Sequence, residues 1–235
     1  MTAKSAEKST AKSVTKSTAK GAKGAKDSND KQIVFDPSAD RATIANQALQ
    51  DTVILEALIE NLSTDVRRIR QFSAAAIGVV SESNPGTLVP YIPQVADALH
   101  RPEAQTRWEC LDVLTRVVAL DPDATDEALS GAESSLYDEE SGPARLAAVR
   151  FLCTYGALDA ARATRIWPLL DEAIQCYHGD PEFSDMLVSV IAFSGGKIGK
   201  DVKKSLASRM DFDAKNAKGA LKRRAAQIVE LCSKK

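Results

Sequence analysis

Apolar residues along this chain recur at the three- and four-residue intervals of helix faces, and the helices they predict are grouped at a much longer interval. From Ala42 the period predicts a first helix through Ala48, Leu49, Val53, Ile54, Ala57, Leu58 and Leu62. A second helix is predicted from Asp65, whose carboxylate is placed to cap exposed amides, to Val80. The next pair opens at Asn84-Pro85-Gly86. Alternating apolar and polar runs are few, and the Ala and Leu content favours helix throughout.

The second helix of each pair repeats a phrase: Ile69-Arg70-x-x-Ser73-Ala74-x-Ala76-Ile77-Gly78, then Thr106-Arg107-x-x-Cys110-Leu111-x-Val113-Leu114, then Ala144-Arg145-x-x-Ala148-Val149-x-Phe151-Leu152. Its anchors Arg70, Arg107, Arg145, Asp185 and Lys222 step by 37, 38, 40 and 37 residues. A helix pair of that length cannot bury its apolar face alone, and stacking successive pairs buries a continuous core. The first helices also correspond, since Leu88–Leu99 matches Ile166–Ile174 in register at 75 residues, two periods. A proline within each predicts a shared bend.

The proline and acidic residue of the first helix and the arginine phrase of the second resemble the HEAT-repeat family over roughly residues 42 to 232. An acidic residue about five positions ahead of the arginine (Asp65, Glu140, Asp180) belongs to the same likeness. The resemblance implies an all-α solenoid of about five HEAT-like two-helix repeats, spanning residues 40–232. It also implies a ladder in which that acidic residue and the arginine join neighbouring units. The fourth unit departs from the pattern with Asp185 at the arginine position, and the fifth carries Lys222.

Composition fits thin helical layers: 44% of the 235 residues are apolar and only 5% aromatic. Cys110, Cys153 and Cys176 fall in apolar phases and read as small core residues of a reducing compartment, while Cys232 stands near the C-terminal end. With no C-x-x-C pair and two isolated histidines, His100 and His178, each at a helix C-terminus, spacing supplies no metal or cofactor site. The iron hydroxylase built on HEAT repeats needs His-Glu pairs that are missing here. No P-loop, nucleophile elbow or Gly-x-Gly-x-x-Gly occurs, and Gly195-Gly196 with Gly199 reads as a turn, so no small-molecule substrate is expected. Apolar stretches stay short of the roughly 20 residues that span a bilayer, and residues Ser83 to Ala96 are interrupted by Pro85, Pro90 and Pro93. The first thirty residues lack a secretory core segment, so the expected location is cytoplasmic, with nucleoid association if the tail holds DNA.

Charge is partitioned behind a net value of −1. Residues 1–31 form a Lys/Ala/Ser/Thr-rich tail of about +5, carrying Lys4, Lys8, Lys12, Lys16, Lys20, Lys23 and Lys26, and too apolar-poor to fold alone. Residues 32–196 hold 11 arginines, no lysine and 25 carboxylates, a net −14; residues 197–235 return to +8. The basic ends are candidates for phosphate backbones, with Lys218, Lys222, Arg223 and Arg224 joining the tail lysines. A concave face carrying Glu109, Asp112, Asp138, Glu139, Glu140, Asp180, Glu182 and Asp185 would repel a duplex and suit a basic protein segment.

The sequence thus points to a non-catalytic scaffold binding a protein on its concave face through Arg67, Arg68, Gln71, Trp108, Glu109, Asp112, Arg150 and Asp185, with Asp112 paired to Arg116 or a neighbour. The tail would add accessory affinity for nucleic acid. The alternative is a protein clamping duplex DNA between its basic ends. A remote branch of it rests on Trp108 and Asp112, whose spacing is similar to the Trp-x-x-x-Asp constellation of HEAT-like alkylpurine DNA glycosylases; only those two positions match.

Overall fold

The computed structural model describes residues 33–234, so the lysine tail lies outside the described residues. Its α-helices are α1 (Arg41–Ala48), α2 (Thr52–Glu60), α3 (Arg67–Ser83), α4 (Ile92–Asp97), α5 (Ala104–Val117), α6 (Leu129–Leu136), α7 (Gly142–Gly156), α8 (Ala160–Cys176), α9 (Phe183–Ser194), α10 (Lys200–Asn216) and α11 (Gly219–Ser233). No strand occurs among the described residues. The odd-numbered helices α1 to α11 stack on one another as a continuous inner row, and α2, α4, α6, α8 and α10 form a looser outer row. The more tightly packed row carries the arginines Arg70, Arg107 and Arg145, and the whole is an all-α solenoid.

Local chemistry sets the helix starts. Asp40 accepts from the Thr43 amide, Asp51 from Val53, Ser141 from Ala144 and Asp159 from Arg162. Asp51 divides what the apolar period predicts as one helix: in an extended conformation it caps α2, and α1 joins the inner row as half a unit ahead of the first pair. Asp65 does not cap α3, whose N-cap position is Val66 with no side-chain bond. The first helix of the second unit is also broken, into a 3-10 segment Pro85–Tyr91, the short α4 and a 3-10 turn Ala98–His100, whereas α8 runs unbroken through Pro168. Pro90 and Pro93 remove two helical donors within one turn, and Pro93 is tolerated where α4 begins because that amide needs no partner. The bend expected to be common to both is therefore not shared.

The core is one continuous cluster of Ala, Leu, Val and Ile, with Phe151, Tyr155 and Phe193 its largest fully buried side chains. Layers approach closely at Gly131 of α6, where an added Cβ would stand 2.4 Å from the Cβ of Leu99. Cys110 and Cys153 are buried as expected, but Cys176, the last residue of α8, is exposed because the helix ends as that position turns outward.

Arginines at the starts of the inner helices bind two units at once. Arg70 donates through Nη1 to the Thr64 carbonyl at 2.7 Å, and through Nε and Nη2 to Glu103 at 2.5 and 2.8 Å. Arg107 holds the carbonyls of Arg101 and Pro102 and the carboxylate of Asp138. Arg145 holds the Asp138 carbonyl at 2.8 Å and Asp180 at 2.8 Å, and stacks over Tyr177. Asp180 is thus the ladder acid the resemblance implies, while Asp65 and Glu140 give way to Glu103 and Asp138. One arm of each guanidinium is fixed on its own turn, so the other reaches the following unit rather than the acid just ahead of it.

The ladder stops at the fourth unit for a different reason from the one expected. Burial phase sets Phe183, not Asp185, opposite Arg145, since Ser184, Val188 and Ala192 are exposed as Leu146, Arg150 and Thr154 are accessible on α7. His178 takes over, its Nε2 lying 3.1 Å from both Asp213 oxygens and its ring against Phe183. Lys222 does occupy an anchor position, donating to the Lys215 carbonyl at 3.0 Å.

Two substitutions test this packing. Arg70→Met leaves Glu103, whose side chain is 2% exposed, buried without a countercharge and is expected to cost about 3–5 kcal/mol in urea unfolding, with Arg70→Met/Glu103→Leu recovering much of it. Gly131→Ala gains about 1 kcal/mol of helix propensity but meets the Leu99 Cβ, which no rotamer can move, so a net loss of about 1–3 kcal/mol is expected.

Candidate protein-binding face

Along α5 the partly accessible residues Gln105, Trp108, Glu109, Asp112 and Arg116 form one helical stripe opposite the buried Cys110, Leu111, Val113, Leu114 and Val117. Trp108 is partly buried, its ring packed on the edge of the core. Glu109 leans across to α3, where its Oε2 would be 3.2 Å from a Cβ at Gly78. A glycine there leaves room for the carboxylate.

These carboxylates are incompletely compensated. Burial pushes Glu109 above the usual carboxyl range and neighbouring Asp112 adds to it; the charge of Arg41 and the nearby polar groups of Trp108 and Gln105 only partly oppose it. No salt-bridge partner lies within 4.0 Å of Glu109 among the described residues. Burial likewise raises Asp112, against the pull of Arg150 and Arg116. Asp112 meets Arg150 of α7 at 3.8 Å, not Arg116, because Arg116 is drawn to α3, reaching Glu82 at 3.0 Å and the Ser81 hydroxyl at 3.3 Å.

The structure therefore brings Trp108, Glu109, Asp112 and Arg150 together. Arg67 and Arg68 are exposed on the first turn of α3, with Gln71 behind them, and Asp185 is exposed at the start of α9 without a bond to the α5 group. The acids expected on a single concave face are divided: Asp138 and Asp180 belong to the arginine ladder, and Glu139 and Glu140 lie in the connection between α6 and α7. Arg41, Glu82 and Gly78 escaped the sequence reading; each acts across a unit boundary, and only the glycine closing the Arg70 phrase gave a sign.

The basic C-terminal set is also divided. Lys222 and Arg224 are engaged internally, Arg224 with the carbonyl of Ser184 at 2.5 Å, whereas Lys218 at the start of α11 and Arg223 are exposed. Lys4, Lys8, Lys12, Lys16, Lys20, Lys23 and Lys26 lie outside the described residues. Among the described residues, no group of three or more His, Cys, Asp or Glu is placed to hold a metal ion, and no helix is long and apolar enough to cross a membrane.

No protein-family model matches the chain, and no curated protein matches it. Solved structures do. A designed armadillo repeat protein in complex with the peptide (KR)4 superposes with a TM-score of 0.68 at 13% identity, over 82% of this chain and 90% of that one. An engineered protein solved by a structural genomics consortium gives 0.66 at 14% identity, over 83% and 89%. Computationally designed armadillo repeat proteins for modular peptide recognition give 0.62 at 14% identity, over 81% and 90%. At these identities the likeness establishes the helical-repeat solenoid fold.

Proposed function

We propose that the chain is a non-catalytic scaffold of HEAT type, built from two-helix units, whose concave face captures an extended basic segment of a protein partner. The observation that carries this reading is the α5 stripe, where Trp108 stands beside two carboxylates, Glu109 and Asp112, that burial leaves short of countercharge. A lysine or arginine laid against that stripe gains both the charge and the indole face. Arg67, Arg68, Gln71, Arg150 and Asp185 would frame the site and set register along the segment. The designed neighbour in complex with (KR)4 supports the ligand class by fold analogy.

The test is binding of a fluorescent eight-residue Lys/Arg peptide, with an acidic peptide and duplex DNA as comparisons. Trp108→Ala is expected to weaken the basic peptide about 30-fold, the loss of roughly 2 kcal/mol that marks an interfacial hot spot. Equal affinity of wild type and variant, or preference for duplex DNA, refutes the reading.

Acid gives a second, signed outcome. A cationic ligand needs Glu109 and Asp112 ionised, so affinity is expected to be full near neutrality and to fall as pH drops through their raised values. Stability moves oppositely: carboxyls raised in the fold destabilise it above those values and not below the ordinary carboxyl range. Glu109→Gln should therefore raise Tm at pH 7, and the gain should vanish at low pH.

A further inference from the structure

We propose that residues 1–32 are a ligand of this same face, with lysines of the N-terminal segment engaging Trp108, Glu109 and Asp112 in cis and competing with an outside peptide. This inference rests on the reading of the α5 stripe as a cation-binding face.

The observations concern where the segment enters the fold. The chain joins the solenoid at the first unit: the Ile33 carbonyl accepts from Asn61 Nδ2 at 2.8 Å, and Phe35 stacks on Phe72 of α3 with ring centroids 6.2 Å apart. Eight residues further on, Arg41 already lies close enough for its charge to act on Glu109. The anchor is thus one helix away from α5 along the inner row. Thirty-two residues of chain reach at most about 110 Å, and packed helices are about 8–10 Å apart, so the segment is long enough to reach α5.

Charge and spacing agree. The solenoid from residue 32 to 196 is net −14 and contains no lysine, while Lys4, Lys8, Lys12, Lys16 and Lys20 recur every four residues. Neighbouring lysines of this set are at most about 14 Å apart along the chain, so more than one can reach the α5 group. At the C-terminal unit Lys222 and Arg224 are committed to the carbonyls of Lys215 and Ser184, while Lys218 and Arg223 remain exposed. Tethering raises the local concentration of the tail to about 1 mM. A tail site of about 0.1 mM intrinsic affinity would then reduce the apparent affinity of an outside peptide about tenfold.

Two measurements on the full-length chain decide it. Water-soluble carbodiimide joins lysine amines to carboxylates as amides with loss of water. Cross-links from tail lysines to Glu109 and Asp112 within monomers are expected to exceed those to the exposed Glu60 and Glu133 at least fivefold, and to disappear in about 0.5 M salt, where screening shortens to a few ångströms. Links spread evenly over these carboxylates, or found only in covalent dimers, overturn the proposal. In the second measurement, Lys4→Gln, Lys8→Gln, Lys12→Gln, Lys16→Gln and Lys20→Gln together should tighten binding of the Lys/Arg peptide about tenfold. A peptide that binds equally to wild type and to the variant overturns the cis contact and leaves the cation-binding face standing. A peptide that binds neither chain overturns both.

Discussion

The first three units are held in order by one repeated arrangement, a guanidinium at the head of α3, α5 and α7 shared between two turns. Arg70, Arg107 and Arg145 each place one nitrogen on carbonyls of their own unit and another on the carboxylate that opens the next. The planar fork makes this possible, because its donors leave in fixed and different directions. Lys222, with one ammonium, satisfies only the carbonyl half. Each turn would otherwise contain helix-end carbonyls without partners, and the same contact that satisfies them sets the angle between successive units.

The repeat was legible because its two ingredients are periodic in the chain itself: an arginine near each inner helix start and an apolar phase behind it. What escaped the sequence was whatever depends on side-chain reach or helix rotation. Asp51 interrupts a run whose apolar phase continues across it, so the break is written in a single capping residue. Glu103 and Asp138 are ladder acids, yet nothing in their own flanks separates them from Asp65 or Glu140. Asp185 sits at nearly the right interval, and only the burial of Phe183 shows that α9 is turned by part of a helical step. At the candidate site, Trp108, Glu109 and Asp112 share a face through their spacing alone, whereas Arg150, Glu82 and Arg41 arrive from other units.

The α5 stripe departs from what stability alone would select. The buried ladder acid Glu103 is matched: burial alone would raise it, but hydrogen bonds from Arg70, its own amide and Thr106 outweigh it and hold the group below its usual range. On α5 the balance tips the other way, and two half-buried acids remain raised beside an aromatic ring. Carboxyls raised in this way beside an aromatic ring are what the proposed cationic ligand would compensate, and perturbed groups of this kind concentrate at functional sites.

The shared guanidinium also makes the joints interchangeable. Removing one whole period from the first three units would bring Arg70 against Asp138, or Arg107 against Asp180, and the new seam would have the same chemistry as the old. Length can therefore change there by whole units without inventing a new contact. The seam after α9 lacks that freedom: Phe183, His178 and Asp213 form a connection found at no other seam among the described residues, so the unit of α10 and α11 is fitted to its neighbour rather than being another copy of the repeat.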